Sequence, residues 1–380
     1  MLFLITLVGI LKFIYTIELE KLNFLEKTYI NREKRGIVNK AKFELTDTHI
    51  KYHINFRLDK LLIRKALSRI SEETCFKFEE TSNYLLATLR YKHGLYFLTK
   101  FPVKKEKNRD IYLLATVKDI TKVMRETLHA LGVDYEHNRP DRNKYITINF
   151  KNVYSVFMPL FEITYTPILT FYNIGYDYTS VMHFTVKEFS RNGKKTIESK
   201  RKLMEPFTGR STHLTFNDAK LLSLKYCINP KLKNAKCHNY GYPNPTMPYI
   251  CKCLPFYYGP KCENRVRNFG YCSRINYFKA MSSITSRTLT LGNTCNFFIY
   301  TIPGKRIKLK LFFHHGLLSN HHCKNGKSIE ARYFSDFSVN GVIYCPSIFP
   351  ISIVSESNFI ILRSTFSESK SKVKIMFKMF

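Results

Sequence analysis

Apolar and polar residues alternate along Lys51–Leu58 (KYHINFRL), the period of a strand with one buried face. Over Asp59–Ile70 (DKLLIRKALSRI) the apolar spacing becomes helical, and Asp59 stands at the expected N-cap. A short strand is expected at Cys75 and Phe76, and two more between Asn83 and Lys100 around His93-Gly94. Lys104–Asp110 (KKEKNRD) reads as a solvated loop. Val117–Leu131 is helical by pattern and stops at Gly132, which accepts positive φ without a Cβ clash. Thr215-Phe-Asn-Asp218 has the form of a capping box and opens a helix over Asp218–Tyr226. From Cys237 the periodicity fades. The stretch CHNYGYPNPTMPYICKCLPFYYGPKC crowds cysteines among Gly and Pro, which predicts a small disulfide-held module. From Tyr271 to Phe380, short β-rich runs (Asn296–Ile302, Ile307–Phe313, Asn358–Leu362) predict a β-sandwich.

Composition adds compartment and partners. The chain has 380 residues, 44% of them hydrophobic, enough for two or three domains. Ten cysteines fit five disulfides in an oxidising compartment. Residues 1–17 (MLFLITLVGILKFIYTI) are apolar, short and interrupted by Lys12, as a secretory signal peptide is. No later stretch is long enough to span a bilayer, so a secreted, extracellular protein is expected. Arg32-Glu33-Lys34-Arg35 matches the basic pattern that furin-like convertases cut, which would leave Gly36 as a new N-terminus. A net charge of +32 attracts polyanions. The lysines are scattered and no nucleic-acid motif accompanies them, so anionic glycans are kept as partners and nucleic acid is set aside.

The chemistry concentrates in Arg125–Asn143 (RETLHALGVDYEHNRPDRN). It has the frame H-E-x-x-H-x-x-G-x-x-H, in which two imidazoles on one helical face and a third beyond a glycine turn hold zinc. The glutamate of that frame is a general base toward metal-bound water. Here Glu126, His129 and Gly132 keep their places, but Arg125 and Tyr135 occupy the first and third ligand positions.

Several separated runs carry a resemblance to the astacin family of metalloendopeptidases. They are HALG (129–132), RPDRNKYITI (139–148), YDYTSVMHF (176–184), FSRNGKKTI (189–197) and LTFNDAKLL (214–222). The resemblance implies an α+β, metzincin-type domain with a mixed sheet and a long active-site helix. A small disulfide-rich EGF-like module and an all-β CUB-like sandwich would follow. The implied organisation is signal peptide 1–17, short propeptide 18–35, astacin-like peptidase domain 36–228, EGF-like module 229–265 and CUB-like domain 266–380. It also implies Met182 in a Met-turn under the metal site, and Glu136 as partner of the Gly36 ammonium. The implied disulfides are Cys75–Cys227, Cys237–Cys251, Cys253–Cys262, Cys272–Cys295 and Cys323–Cys345. The family's second disulfide in the peptidase domain has no cysteines here, and the EGF-like module lacks one pair. In the CUB-like part, Glu330 within CKNGKSIEARYFSD stands where such domains place a calcium-holding acid, without a full acidic set.

The departures fall on the metal. Guanidinium has no lone pair to donate and repels a cation. A neutral phenol is a poor ligand, and Phe184 replaces the tyrosine that follows the Met-turn histidine in the family. One imidazole cannot hold a catalytic zinc. The expected function is therefore a secreted pseudoprotease with weak or absent zinc, an idle Glu126, and extracellular proteins or peptides as partners. Two alternatives stand beside it: an active zinc endopeptidase cutting extracellular proteins, and a basic adhesion or matrix-binding protein.

Overall fold

The computed structural model describes residues 45, 47–101, 108–164, 174–228, 235–313 and 327–380. The expected signal and propeptide segments, Gly36 and Cys323 lie outside these residues.

The first region is a five-stranded mixed sheet carrying two helices. Its strands are β1 (His49–Ile54), β2 (Lys77–Glu80), β3 (Leu89–His93), β4 (Leu98–Lys100) and β5 (Arg109–Leu113), in spatial order β2-β1-β3-β5-β4. All neighbours are parallel except β4, an antiparallel edge strand. The alternation in β1 sends Ile50, Tyr52 and Ile54 into the core. Helix α1 (Lys60–Glu73) crosses from β1 to β2 and buries Ile63, Ala66, Leu67 and Ile70. Asp59 caps it, accepting from the Leu62 amide at 3.0 Å. Helix α2 (Ile120–Ala130) follows β5 and is buried on nearly every side.

The ends of three expected elements differ. β1 stops at Ile54, and the strand expected at Cys75 begins at Lys77, after the disulfide. The expected loop Lys104–Asp110 turns into strand β5 at Arg109. Its charges are paired across the sheet: Asp110 takes Arg90 at 2.6 Å and Lys92 at 2.7 Å, while buried Arg109 donates to the Ala130 carbonyl.

Beyond α2 the chain is mostly turns and 3-10 segments, with β6 (Ile146–Ile148) paired to β7 (Ile197–Ser199). Helix α3 (Phe216–Leu222) starts in a complete capping box: Thr215 Oγ1 accepts from the Asp218 amide, and the Asp218 carboxylate accepts from the Thr215 amide. α3 passes into a π-helical turn at Ser223–Cys227, where Cys227 is bonded to Cys75.

The disulfide-rich module holds two short hairpins, β8 (Tyr242–Pro243) with β9 (Cys251–Lys252) and β10 (Tyr257–Tyr258) with β11 (Asn264–Arg265). Disulfides Cys237–Cys251 and Cys253–Cys262 fasten it. The C-terminal region has β12 (Tyr277–Lys279), β13 (Thr285–Tyr300), β14 (Ile307–Phe313), β15 (Ser328–Arg332), β16 (Val342–Tyr344), β17 (Ile351–Val354) and β18 (Phe359–Met379). β13 and β18 pair along almost their whole lengths, with an irregularity between Leu291 and Asn293. Their first-paired halves join β14 and β17, and their other halves join β12, β15 and β16, so two layers face one core. Cys272–Cys295 closes the entry to this region. Cys345 is also disulfide-bonded. Glu330 does not present a free carboxylate, since its Oε1 accepts from Arg332 at 2.7 Å and the Gly341 amide at 2.9 Å. Among the described residues no helix is long and apolar enough to cross a membrane.

Candidate functional site

Helix α2 places Arg125, Glu126 and His129 in the centre of the first region. Its end is a Schellman motif: the Gly132 amide donates to His129 O at 2.8 Å and the Val133 amide to Leu128 O at 3.0 Å. Gly132 has φ +91°, so the chain can reverse here and return Tyr135 beneath the helix. A segment from Ile174 to Phe184 closes the site from below.

Arg125 lies against this segment. Its Nε donates to Val181 O and its Nη2 to His183 O, both at 2.8 Å. Its Nη1 lies 3.9 Å from Glu188 Oε2, and its guanidinium carbon sits 5.3 Å from the Phe184 ring centre. Burial alone would push the Glu188 carboxyl up, but Arg125 and Lys122 hold it below its usual range. The charge compensating Arg125 is thus Glu188, which has no local motif of its own.

Glu126 is engaged elsewhere. Oε1 accepts from the Tyr135 hydroxyl at 3.1 Å and Oε2 from Thr99 Oγ1 at 2.8 Å. Thr99 reaches in from edge strand β4. The His129 ring stacks on Tyr135, centres 4.5 Å apart and 14° between planes, and its Nδ1 lies 3.0 Å from Val133 O. That contact fits an Nδ1–H donor. Tyr135 also meets Phe184 at 4.9 Å and His137 at 5.5 Å. Exposure is 4% for Arg125, 2% for Glu126, 6% for His129, 5% for Tyr135 and 2% for Phe184. The ligand positions of the sequence frame therefore converge, and they converge as a packed cluster of side chains.

His137 packs on this cluster, its ring centre 4.0 Å from that of Phe184, while its Nε2 lies 3.1 Å from Leu160 O. Burial keeps His137 well below the ordinary imidazole range and brings His183 down to about 4, so both rings are neutral near pH 7. His183 bridges the Tyr176 hydroxyl and its neighbour's carbonyl, Phe184 O.

Met182 is buried, and its carbonyl receives the Glu136 amide at 3.1 Å. Behind it lies a cavity of about 40 Å³, room for about two or three waters. Glu136, Asp177, Asp218 and Asn217 line it. Neither polar atom of the Asn217 amide has a partner among the described residues. Glu136 Oε1 accepts from Arg139 at 3.1 Å and from the Asp177 amide at 2.8 Å. Burial raises Glu136 to about 7 and Asp177 to about 6, the latter helped by the neighbouring Asp218 charge.

Comparison with known proteins places this arrangement. The family model for Astacin, a peptidase family, matches residues 38–227. The chain is similar to "Zinc metalloproteinase nas-34" of Caenorhabditis elegans, 26% identical over 300 residues, which is 78% of this chain and 49% of the relative. It is also similar to "Zinc metalloproteinase dpy-31" of Brugia malayi, 28% identical over 263 residues, 65% of this chain and 43% of the relative. It thus spans about half, or less, of the length of these two relatives. Among solved structures it is similar to high choriolytic enzyme 1, a hatching enzyme zinc-protease of the medaka Oryzias latipes, at 20% identity and a TM-score of 0.42. That likeness covers 48% of this chain and 91% of the other.

Proposed function

The chain belongs to the astacin family, and from that premise we propose that it is a secreted family member that has exchanged hydrolysis for binding of extracellular proteins or peptides. The family's chemistry needs zinc, and the residues in the three ligand positions do not fit it. The observation that carries the reading is Arg125: a buried guanidinium, already bonded to two Met-turn carbonyls, stands where the first ligand belongs. A fixed positive charge with no lone pair opposes a divalent cation at contact range. Tyr135 donates its hydroxyl to Glu126, and Glu126 has both oxygens occupied by protein donors. Without metal there is no Lewis acid and no activated water, and a lone carboxylate does not lower an amide-hydrolysis barrier enough to matter.

What this chain's residues do instead is hold shape. In the family a metal ties the helix to the turns beneath it. Here Arg125 ties α2 to the Met-turn segment, and the Glu126–Tyr135 bond ties α2 to the returning chain. The cavity behind Met182 suits a chain-terminal ammonium, and we assign it to Gly36 after cleavage following Arg35, with Glu136 as the partner. Edge strand β4 and the β-rich C-terminal region are left as the surfaces for partners.

The test is metal analysis of the purified chain beside a peptidase assay of the wild type and Glu126→Gln on a denatured protein substrate. No zinc, and no cleavage difference between the two, is the expected result. Stoichiometric zinc with chelator-sensitive cleavage that Glu126→Gln abolishes would establish the active endopeptidase instead.

A further inference from the structure

The two outer faces of the C-terminal β-layers differ in what covers them. On the layer containing β12, β15 and β16, outward Phe298 and Ile361 pack with Phe337 under Leu254, Phe256 and Tyr257 of the disulfide-rich module. The layer formed by Thr285–Leu291 of β13, Ser371–Met379 of β18, β14 and β17 has its inner side in the core through Leu289, Leu309, Ile353 and Ile375. Its outer side carries Lys308 and Lys310 on β14 and Lys372, Lys374 and Lys378 on β18. None of the four strand segments contains an aspartate or a glutamate.

Register makes this a single cationic field. Lys308 stands directly opposite Lys378 on the antiparallel pair, and Phe312 opposite Lys374. On the other edge Thr288 faces Lys374 and Thr290 faces Lys372, while Ser352 of β17 faces Lys310. Directly opposed like charges in a sheet are destabilising, at Cβ separations of about 5 Å. A sheet face that stacks five lysines without one carboxylate carries that cost until an anion arrives.

We propose that this face is a binding site for a linear sulfated glycan. The charge favours a polyanion, and the residues between the lysines favour a sugar. Thr288, Thr290, Ser286 and Ser352 offer small hydroxyls toward sulfates and ring hydroxyls, and Phe312 and Phe380 offer apolar rings at one side. Phe312 and Phe380 lie at one side of the lysines and form no ladder on which successive bases could stack. Disulfide-bonded chains are made in oxidising compartments, whereas the acidic leaflet of a plasma membrane faces the cytosol. The site is independent of whether the metal centre of the first region is silent.

The experiment uses the full chain and a labelled heparin oligosaccharide, with affinity followed against salt. Replacing Lys308, Lys310, Lys372 and Lys374 together by glutamine is compared with replacing Lys51, Lys65, Lys77 and Lys118, four exposed lysines of the first region. The face variant is expected to weaken binding about tenfold or more at ~0.15 M salt and to flatten the salt dependence, as loss of several counterion-releasing contacts does. The control variant is expected to stay within about threefold. Desulfated oligosaccharide should not compete. Equal losses in the two variants mean net charge alone and overturn the proposal, as does no loss in either. Equal or tighter binding to acidic vesicles or duplex DNA at matched salt also overturns it. Should the fourfold variant fail to fold, Lys308→Gln with Lys378→Gln removes the opposed pair. That variant is expected to melt at or above the wild-type temperature and to bind about threefold more weakly; unchanged affinity in the folded pair overturns the site.

Discussion

At the scale of single residues, Arg125 does two opposite things to the first region. It sets a group with no lone pair to donate at the first ligand position of the zinc frame, and it supplies a cross-link that a histidine without metal would not. Truncating it to methionine would leave Glu188 buried with the Thr185 hydroxyl at 2.8 Å and Lys122 at 3.5 Å beside it, and two carbonyls without donors. Breaking a buried, hydrogen-bonded charge pair by removing one partner costs about 3–5 kcal/mol. Urea unfolding of Arg125→Met should show a loss of that order, and Arg125→Met with Glu188→Gln should lose less than the sum of the two single changes. Strict additivity would separate Glu188 from Arg125. The companion experiment restores the ligands: Arg125→His with Tyr135→His should take up zinc if those two positions alone exclude it. A folded double variant without zinc would show that Phe184, packed at 4.9 Å from Tyr135, also shuts the site. The sequence made both substitutions legible, because a fixed frame of spacings tells which residue is out of place. It did not reveal Glu188 or Thr99, since neither has a local signal. Their roles come from folds that bring residue 99 to 126 and residue 188 to 125.

At the scale of elements, caps were read well and charged strands were not. Asp59, Gly132 and Thr215 act on backbone groups within a few residues, so local sequence suffices. Arg109 and Asp110 looked like loop because their partners, Ala130, Arg90 and Lys92, sit on other elements. Asp218 shows how a cap can carry more than its own helix. Its carboxylate also accepts from Ser180 Oγ at 2.6 Å and the Val181 amide at 3.1 Å, so α3 holds the Met-turn from the side opposite Arg125. Thr215→Ala should cost about 1 kcal/mol as an ordinary cap. Asp218→Ala should cost roughly 3 kcal/mol, because buried Ser180 and Val181 donors lose their acceptor as well. Equal costs in chemical denaturation would show that the second role carries no energy. The neighbouring Asp177 gives a pH signature. Burial, then Asp218, raises its folded value from 3.8 to about 6. A raised carboxyl contributes stability fully below its unfolded value and loses it as pH rises through the folded one. Glu136, Asp218 and Arg139 share the cavity. Buried neutral His137 and His183 act in the opposite sense up to their unfolded value of 6.5, so the signature is a difference: Asp177→Asn, which keeps an oxygen for Thr179, should gain in melting temperature relative to the wild type between pH 5 and pH 7.5. An identical slope in the variant would assign no part of the pH dependence to Asp177.

At the scale of the whole molecule, the Met-turn segment is held by a third body. Asp336 of the C-terminal region accepts from the Gly175 amide at 2.8 Å, Asn340 donates to Thr179 Oγ1 at 2.8 Å, and the Phe334 ring stacks on Tyr178 with centres 6.2 Å apart. Tyr240 of the disulfide-rich module donates to Ser335 O at 2.8 Å, and Arg201 pairs with Glu356. One buried cluster runs from Ile50 to Phe377 through this junction. Cysteine texture and strand pattern indicated three parts of the chain, but contacts between residues so far apart in sequence leave no periodicity, so the docking could not be read. Its consequence is that the Met-turn segment is braced by Arg125, by Asp218 and by the C-terminal sheet together. Phe334, 6% exposed and wedged between Tyr178 and Tyr333, is the apolar centre of that last brace. Phe334→Ala should remove about 3–5 kcal/mol from it. The wild type should then melt in one calorimetric transition and Phe334→Ala in two, the earlier belonging to the first region. Two well-separated transitions already present in the wild type would mean that the regions unfold independently, and that the Met-turn segment depends on Arg125 and Asp218 alone.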